Sequence, residues 1–263
     1  MACTLFMLPN RSAERSVEET IPQGVLQKAR SARYFLAENA KSARHYLKQA
    51  GHPGPISELT IVEIGHEPDP GLIDSWLQPV LAGEDACIVS ESGCPGIADP
   101  GATLVARAKA LGIRVVPLTG PCSIMLTLMA SGLNGQRFRF LGYLPIAENE
   151  RVRAIADLER QSRTPETQLF IETPYRNSTM LKALAQTLAA DTLVTVATDV
   201  TGDNEAIETH AAGEWPKRSM DLPKLPTVFA VLARAGARPQ EGIKTGKADS
   251  SRRRMGREGP RRR

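Results

Sequence analysis

The chain has no G-x-x-x-x-G-K-[ST] run and no G-x-G-x-x-G run. Those absences argue against a P-loop nucleotidase, and against a dinucleotide dehydrogenase or the commonest glycine loop for a methyl donor. H-E-x-x-H and paired C-x-x-C are missing as well, so no metal site is expected. Cysteines number four and histidines four, all scattered, and no cysteine has a histidine nearby in sequence. Cys94 and Cys122 fall in candidate site loops, whereas Cys3 and Cys87 fall in strand-like runs and read as core residues. No apolar stretch of membrane length occurs, and the first residues carry no basic segment ahead of their short apolar run. A cytoplasmic protein without membrane contact or disulfides is the expectation.

Positive charge is unevenly placed. Residues 244–263 hold nine Lys/Arg and two Asp/Glu, a net of +7 against +4 for the whole chain, which leaves about −3 for residues 1–243. The tail has almost nothing apolar to bury and reads as a solvated, disordered extension able to contact phosphate backbones without sequence preference. The acidic remainder lacks the basic excess that nucleic-acid contact ordinarily needs.

At 263 residues, two domains of ordinary size are expected, and their boundaries follow the pattern of elements. Strand-like runs at residues 3–8, 34–37, 59–64, 86–89 and 113–118 alternate with helical spacing at 21–32, 41–50, 72–82 and 102–111. This βα alternation predicts an α/β domain over residues 1–118, built on a mostly parallel five-stranded sheet. The break at residues 119–123 opens a second α/β domain, 119–236, with a mixed sheet. Its strands are expected at 137–141, 167–171, 192–198, 207–211 and 227–232, and its helices at 124–131, 149–160 and 178–189. The strands at 192–198 and 207–211 are placed to pair with each other. Residues 237–263 form the basic tail.

Chemistry is confined to loops at strand ends: Glu38-Asn39, residues 90–101, 120–123, 143–145 and 172–177. The most informative is Ser-Glu-Ser-Gly-Cys-Pro-Gly-Ile-Ala-Asp-Pro-Gly at 90–101, with three glycines and two prolines in twelve residues. Glycine permits close backbone approach to a ligand and proline stiffens the path. A shaped loop at the carboxyl end of a strand is where open α/β sheets place ligands.

That loop, followed by Pro-Leu-Thr-Gly-Pro-Cys-Ser at 117–123, Ala-Ser-Gly-Leu at 130–133, Phe-Leu-Gly-Tyr-Leu-Pro at 140–145 and Phe-Ile-Glu-Thr-Pro-Tyr-Arg at 170–176, resembles the tetrapyrrole methylase family of S-adenosylmethionine (SAM)-dependent methyltransferases. Ala-Glu-Asn-Ala-Lys-Ser at 37–42 is similar to the Ala-Glu-Asp-Thr-Arg element of its ribosomal RNA small-subunit methyltransferase I branch, which methylates a ribose 2′-hydroxyl. The resemblance implies SAM in a cleft between the two domains. Ser90, Glu91, Ser92, Gly93, Pro95 and Gly96 would line one side, and Pro121, Ser123, Ile124 and Met125 the other. Leu144 and Pro174 would approach from the second domain. A hydroxyl acceptor must lose a proton, which makes Glu38 and Glu91 the carboxylate candidates. Ribosomal RNA or the small ribosomal subunit is the implied partner, with a homodimer expected. A tetrapyrrole or other small acceptor, or a SAM-binding protein without catalysis, are the alternatives.

Two departures stand out. Where that branch carries Gly-Thr-Pro-Ile-Gly-Asn-Leu, this chain reads Leu-Pro-Asn-Arg-Ser-Ala-Glu at 8–14, without glycine. A side chain at a position needing φ > 0 would strain the backbone and crowd the ligand. Asn39 stands where the branch has Asp, which removes a charge.

Overall fold

The computed structural model describes residues 4–234; the basic tail and Cys3 lie outside the described residues. Two five-stranded sheets organise the chain. The first contains β1 (Thr4–Leu8), β2 (Tyr34–Ala37), β3 (Thr60–Glu63), β4 (Ala86–Val89) and β5 (Arg114–Pro117), in the order β3-β2-β4-β1-β5. Every neighbouring pair is parallel. β2 and β4 are buried throughout, as expected for strands covered on both faces. The connecting helices are α1 (Val17–Thr20), α2 (Gln23–Ser31), α3 (Ala40–Gln49), α4 (Ile73–Leu81) and α5 (Ala102–Ala110). Leu8, Leu26, Phe35 and Leu47 pack on one face, and Leu5, Leu36, Leu77 and Leu104 on the other.

The second sheet contains β6 (Phe138–Tyr143), β7 (Thr167–Glu172), β8 (Leu193–Thr198), β9 (Ala206–Ala211) and β10 (Thr227–Leu232), in the order β6-β7-β10-β8-β9. β6 and β7 are parallel and the remaining pairs antiparallel, so the sheet is mixed. Its helices are α6 (Ser123–Ser131), α7 (Glu148–Ser162) and α8 (Asn177–Thr187). The rings of Phe170 and Phe229 stack 5.3 Å apart between sheet and helices. Burying one such ring contributes about 1.5–3 kcal/mol.

α6 follows β5 directly in sequence yet packs its Ile124 and Leu128 against Leu169 and Val228 of the second sheet. The chain therefore passes from one layer to the other through residues 118–122. This crossing carries the amino end of α6 to the carboxyl ends of the first sheet's strands, where the order of connections reverses. That reversal point is the usual place for a ligand crevice in open α/β sheets.

Candidate functional site

A cleft of about 300 Å³ lies between the layers. Ser92, Gly93 and Cys94 line it from the loop after β4, and Cys122, Ser123 and Ile124 from the crossing and the start of α6. Tyr143, Glu172, Pro174 and Val228 close it from the second sheet. No side chain caps α6, so the N–H groups of its first turn are left to the cleft. Such an end favours a carboxylate or another anion. Ile97, Ile124, Ile171 and Val228 supply apolar surface beside it.

The loop after β1 builds one rim and needs no glycine. Among the described residues, φ is positive outside glycine only at Ala98, Asp199 and Thr201, so the segment 8–14 carries none of the expected strain. Asn10 does the shaping. Its backbone N–H donates to Gly93 O at 2.8 Å, and Gly93 N–H returns a bond to Arg11 O at 3.3 Å. The buried Asn10 amide donates to Ser90 O at 3.2 Å and Glu91 O at 3.0 Å, and its oxygen accepts from Arg11 N–H at 2.9 Å. The segment also touches the loop after β5: a methyl at Gly120 would overlap the Pro9 ring. Ser12 then reaches the second layer, with its hydroxyl 2.9 Å from Thr201 Oγ1 and donating to Val200 O at 3.2 Å.

The sequence-selected residues divide between the cleft and its scaffold. Ser92, Gly93, Ser123, Ile124 and Pro174 line the cleft. Ser90 is buried behind them and its hydroxyl donates to Ser92 O at 3.1 Å. Pro95 and Gly96 shape the loop, where Gly96 takes φ +79° and donates to Pro100 O. Pro121 turns its carbonyl to the Cys94 thiol, 3.3 Å away. Met125 is exposed along α6, and Leu144 is buried in the core beneath α7 and α8. Neither is among the lining residues.

Glu38 and Glu91 form a bracket rather than part of the cleft wall. Glu38 Oε2 accepts Glu91 N–H at 3.0 Å, Glu38 Oε1 lies 3.1 Å from His66 Nδ1, and Glu91 Oε1 accepts the Ser42 hydroxyl at 2.7 Å. The hydrogen bond to Glu38 raises the His66 pKa above its ordinary value. Asn39 accepts the N–H groups of Lys41 and Ser42 and so caps α3, a role in which an amide oxygen serves as well as a carboxylate.

The cleft carboxylates are instead Asp99 and Glu172. Burial, reinforced by the charge of Glu38, raises the Asp99 pKa to about 7. Glu172 accepts Thr173 N–H at 2.7 Å and lies 3.0 Å from Arg176 Nη2, which offsets its charge. Tyr143 has its pKa raised by burial, with smaller contributions from Asp99 and Glu172. Burial likewise raises the Cys94 thiol, leaving it protonated and weakly nucleophilic at neutral pH. Among the described residues, no group of three or more metal-ligating side chains occurs, and no helix is long and apolar enough to cross a membrane.

Residues 9–215 match the family model for tetrapyrrole (corrin/porphyrin) methylases, which spans most of the chain and every wall of the cleft except residues 226–228. The chain belongs to the tetrapyrrole methylase family. Curated relatives include the ribosomal RNA small subunit methyltransferase I of Pseudomonas aeruginosa, 37% identical over 147 residues, covering 56% of this chain and 49% of that protein. The protein of the same name from Xylella fastidiosa is 32% identical over 172 residues, covering 65% and 60%. The chain thus spans about half to three fifths of the length of these relatives. Among solved structures, the methyltransferase CobJ superposes with a TM-score of 0.58 at 19% identity, covering 88% of this chain and 93% of its own. A uroporphyrin-III-C-methyltransferase from Thermus thermophilus gives 0.52 at 16%, covering 90% and 95%. At those identities the likeness establishes the fold.

In this tetrapyrrole methylase the cleft adjoins a second, wider groove of about 770 Å³. Lys41, His45, Tyr46 and Gln49 of α3 line it, with Arg11 and Asn204 opposite. Ser12, Ser92 and Pro226 wall both spaces. The Tyr46 hydroxyl is buried at the groove without a hydrogen-bond partner among the described residues.

Asn10, Ser12, Asp99, Tyr143 and Glu172 all lie in loops that the sequence marks, but none of them is singled out there as a site residue. Asp99 lies within the quoted Gly/Pro loop, but its burial depends on residues far along the chain. The signal for Asn10 is a polar residue beside the first strand's end, in a loop that lacks the expected glycines.

Proposed function

We propose that the chain is a SAM-dependent methyltransferase, and that its acceptor is a ribose 2′-hydroxyl of small-subunit ribosomal RNA. The observation that carries the reading is the interdomain cleft, in which an uncapped helix end, apolar side walls and two carboxylates meet. These suit a ligand with one carboxylate, an apolar body and positive charge, which is the character of SAM. The amino end of α6 would hold the carboxylate, and Ser92 to Cys94 with Pro174 would face the remainder. When bound, SAM supplies an electrophilic methyl group. The chain's contribution is to seat the acceptor in line with that methyl from the wider groove and to exclude water.

The ribosomal acceptor draws on the names of the curated relatives and on the groove's Lys41, Arg11 and His45. A small-molecule acceptor is favoured instead by the net −3 of residues 1–243. A cytoplasmic homodimer belongs to the same proposal, with the basic tail adding contacts to RNA.

Calorimetry with SAM, followed by tritium transfer from labelled SAM into unmethylated small ribosomal subunits, tests the reading. Absence of binding heat removes the cofactor. Binding with no transfer to subunits removes the ribosomal acceptor. A Gly93→Val protein is expected to bind SAM at least about tenfold more weakly while remaining folded. Gly93 takes φ +64°, and a Cβ there would lie 3.5 Å from Pro121 O. A β-branched side chain is strained in that conformation and would crowd the cleft. Unchanged affinity would take this loop out of the binding wall.

A further inference from the structure

We propose that Asp99 is the catalytic residue that takes the proton from the acceptor hydroxyl during methyl transfer; the inference rests on the methyltransferase reading above. Among the described residues, two carboxylates line the cleft, Asp99 and Glu172. Glu172 Oε1 accepts Thr173 N–H, and Oε2, buried without a hydrogen-bond partner among the described residues, is charge-paired with the Arg176 guanidinium 3.0 Å away. Glu38 lines neither space, and Glu91 lines the wider groove but not the cleft; both carboxylates are held by the contacts with Glu91 N–H, His66 and Ser42.

Asp99 is less committed: its side-chain contact is with the Ser90 hydroxyl, which also lies 3.1 Å from Ser92 O and shares its one proton between the two. The local backbone explains its position. Ala98 is held at φ +62°, Pro100 follows Asp99, and Gly101 takes φ +133°. Proline keeps the residue before it extended, so Asp99 is presented from a rigid turn. A non-glycine residue held at positive φ beside a ligand cleft is a typical companion of a functional group.

The charged and titratable groups around Asp99 come from several elements. Glu38 at the end of β2 and Glu91 in the same loop raise its pKa, His66 after β3 lowers it, and Cys94 and Tyr143 lie near enough to feel its charge. Burial outweighs these, and the carboxyl titrates close to neutrality, where a general base works best. In the step itself the acceptor O–H bond breaks as its oxygen bonds the methyl carbon. The carbon–sulfur pair stays on the departing thioether, and the proton ends on the Asp99 carboxylate.

The test compares native protein with Asp99→Asn and Asp99→Glu. Carbon NMR of the native carboxyl should show Asp99 titrating near 7 rather than at the ordinary 3.8. With a raised folded-state pKa, ionisation opposes folding, so this group's stabilising effect is complete below about pH 4 and is lost as pH rises through about 7. Asp99→Asn should therefore melt higher than native protein at pH 8 and no higher at pH 4. Its SAM affinity by calorimetry should stay within about threefold. Its tritium transfer into unmethylated small ribosomal subunits should fall by about 10²–10⁴-fold and lose the rise in rate between pH 6 and 8, with partial recovery in Asp99→Glu.

A carboxyl titrating near 4, or an Asn variant that transfers at the native rate, overturns the proposal while leaving the methyltransferase reading in place. Loss of transfer matched by equal loss of SAM affinity overturns it too, because Asp99 would then be a binding residue. A native protein that binds SAM but transfers to no subunit overturns the ribosomal reading itself, and this proposal with it.

Discussion

A Gly120→Ala protein is expected to be destabilised by about 1–3 kcal/mol, and to lose SAM affinity by about tenfold or more. Gly120 takes no positive φ, so the effect does not come from backbone conformation. It comes from contact. The added methyl would fall within the envelope of Pro9 Cβ and Cγ, and a proline ring fixed to its own backbone cannot swing aside as a long side chain does. Relief requires the loops after β1 and β5 to separate. The Gly120 and Pro121 carbonyls face Cys94, and Pro121 O lies against Gly93, so separation moves two walls of the cleft together. Thermal melting should fall by roughly 2–4 °C for each kcal/mol lost. Gly135→Ala is the control, since a methyl there meets nothing within 4 Å and no positive φ is involved. Equal melting of the two variants would show that the Pro9–Gly120 contact is not a constraint on the fold.

An Asn10→Ala protein is expected to lose about 2–3 kcal/mol and to bind SAM more weakly. The substitution removes both amide donors from Ser90 O and Glu91 O, and the acceptor from Arg11 N–H. Asn10 is buried, so water cannot freely replace those bonds, and unpaired buried groups are the costly outcome. Asn10→Asp should be at least as damaging. It keeps an acceptor for Arg11 but turns an oxygen toward two carbonyls and adds charge beside Glu38 and Glu91. Chemical denaturation gives the stability and calorimetry the affinity. A neutral Asn10→Ala would mean that backbone pairing with Gly93 suffices to hold the rim.

The fold was largely legible because its signals are local. Buried strands such as Tyr34–Ala37 and Ala86–Val89 appear as short apolar runs between helical spacings. β8 and β9 declare their pairing by proximity and by a polar connection. The site was legible only where conformation leaves a mark on composition, as with Gly93 and Gly96. Positions whose role depends on distant neighbours were not. Leu144 sits in a motif beside the cleft, yet the strand's course carries it under α7 and α8 into the core. Glu38 and Glu91 look like free carboxylates at strand ends, but they bond with each other's segment across 53 positions. Asn10 replaces glycine-dependent shaping with side-chain bonds spanning 80 and 81 positions, which no window of sequence displays.

Ser12, Ser92 and Pro226 wall both the inner cleft and the wider groove. Two adjoining compartments with a common partition are expected to influence each other's filling and emptying. A bulky occupant of the outer one presses on the wall of the inner one and obstructs traffic past it. Under the proposed function, turnover is therefore expected to be ordered, with the small ligand boarding first and the large product leaving before the spent donor; product-inhibition kinetics showing random order would contradict this.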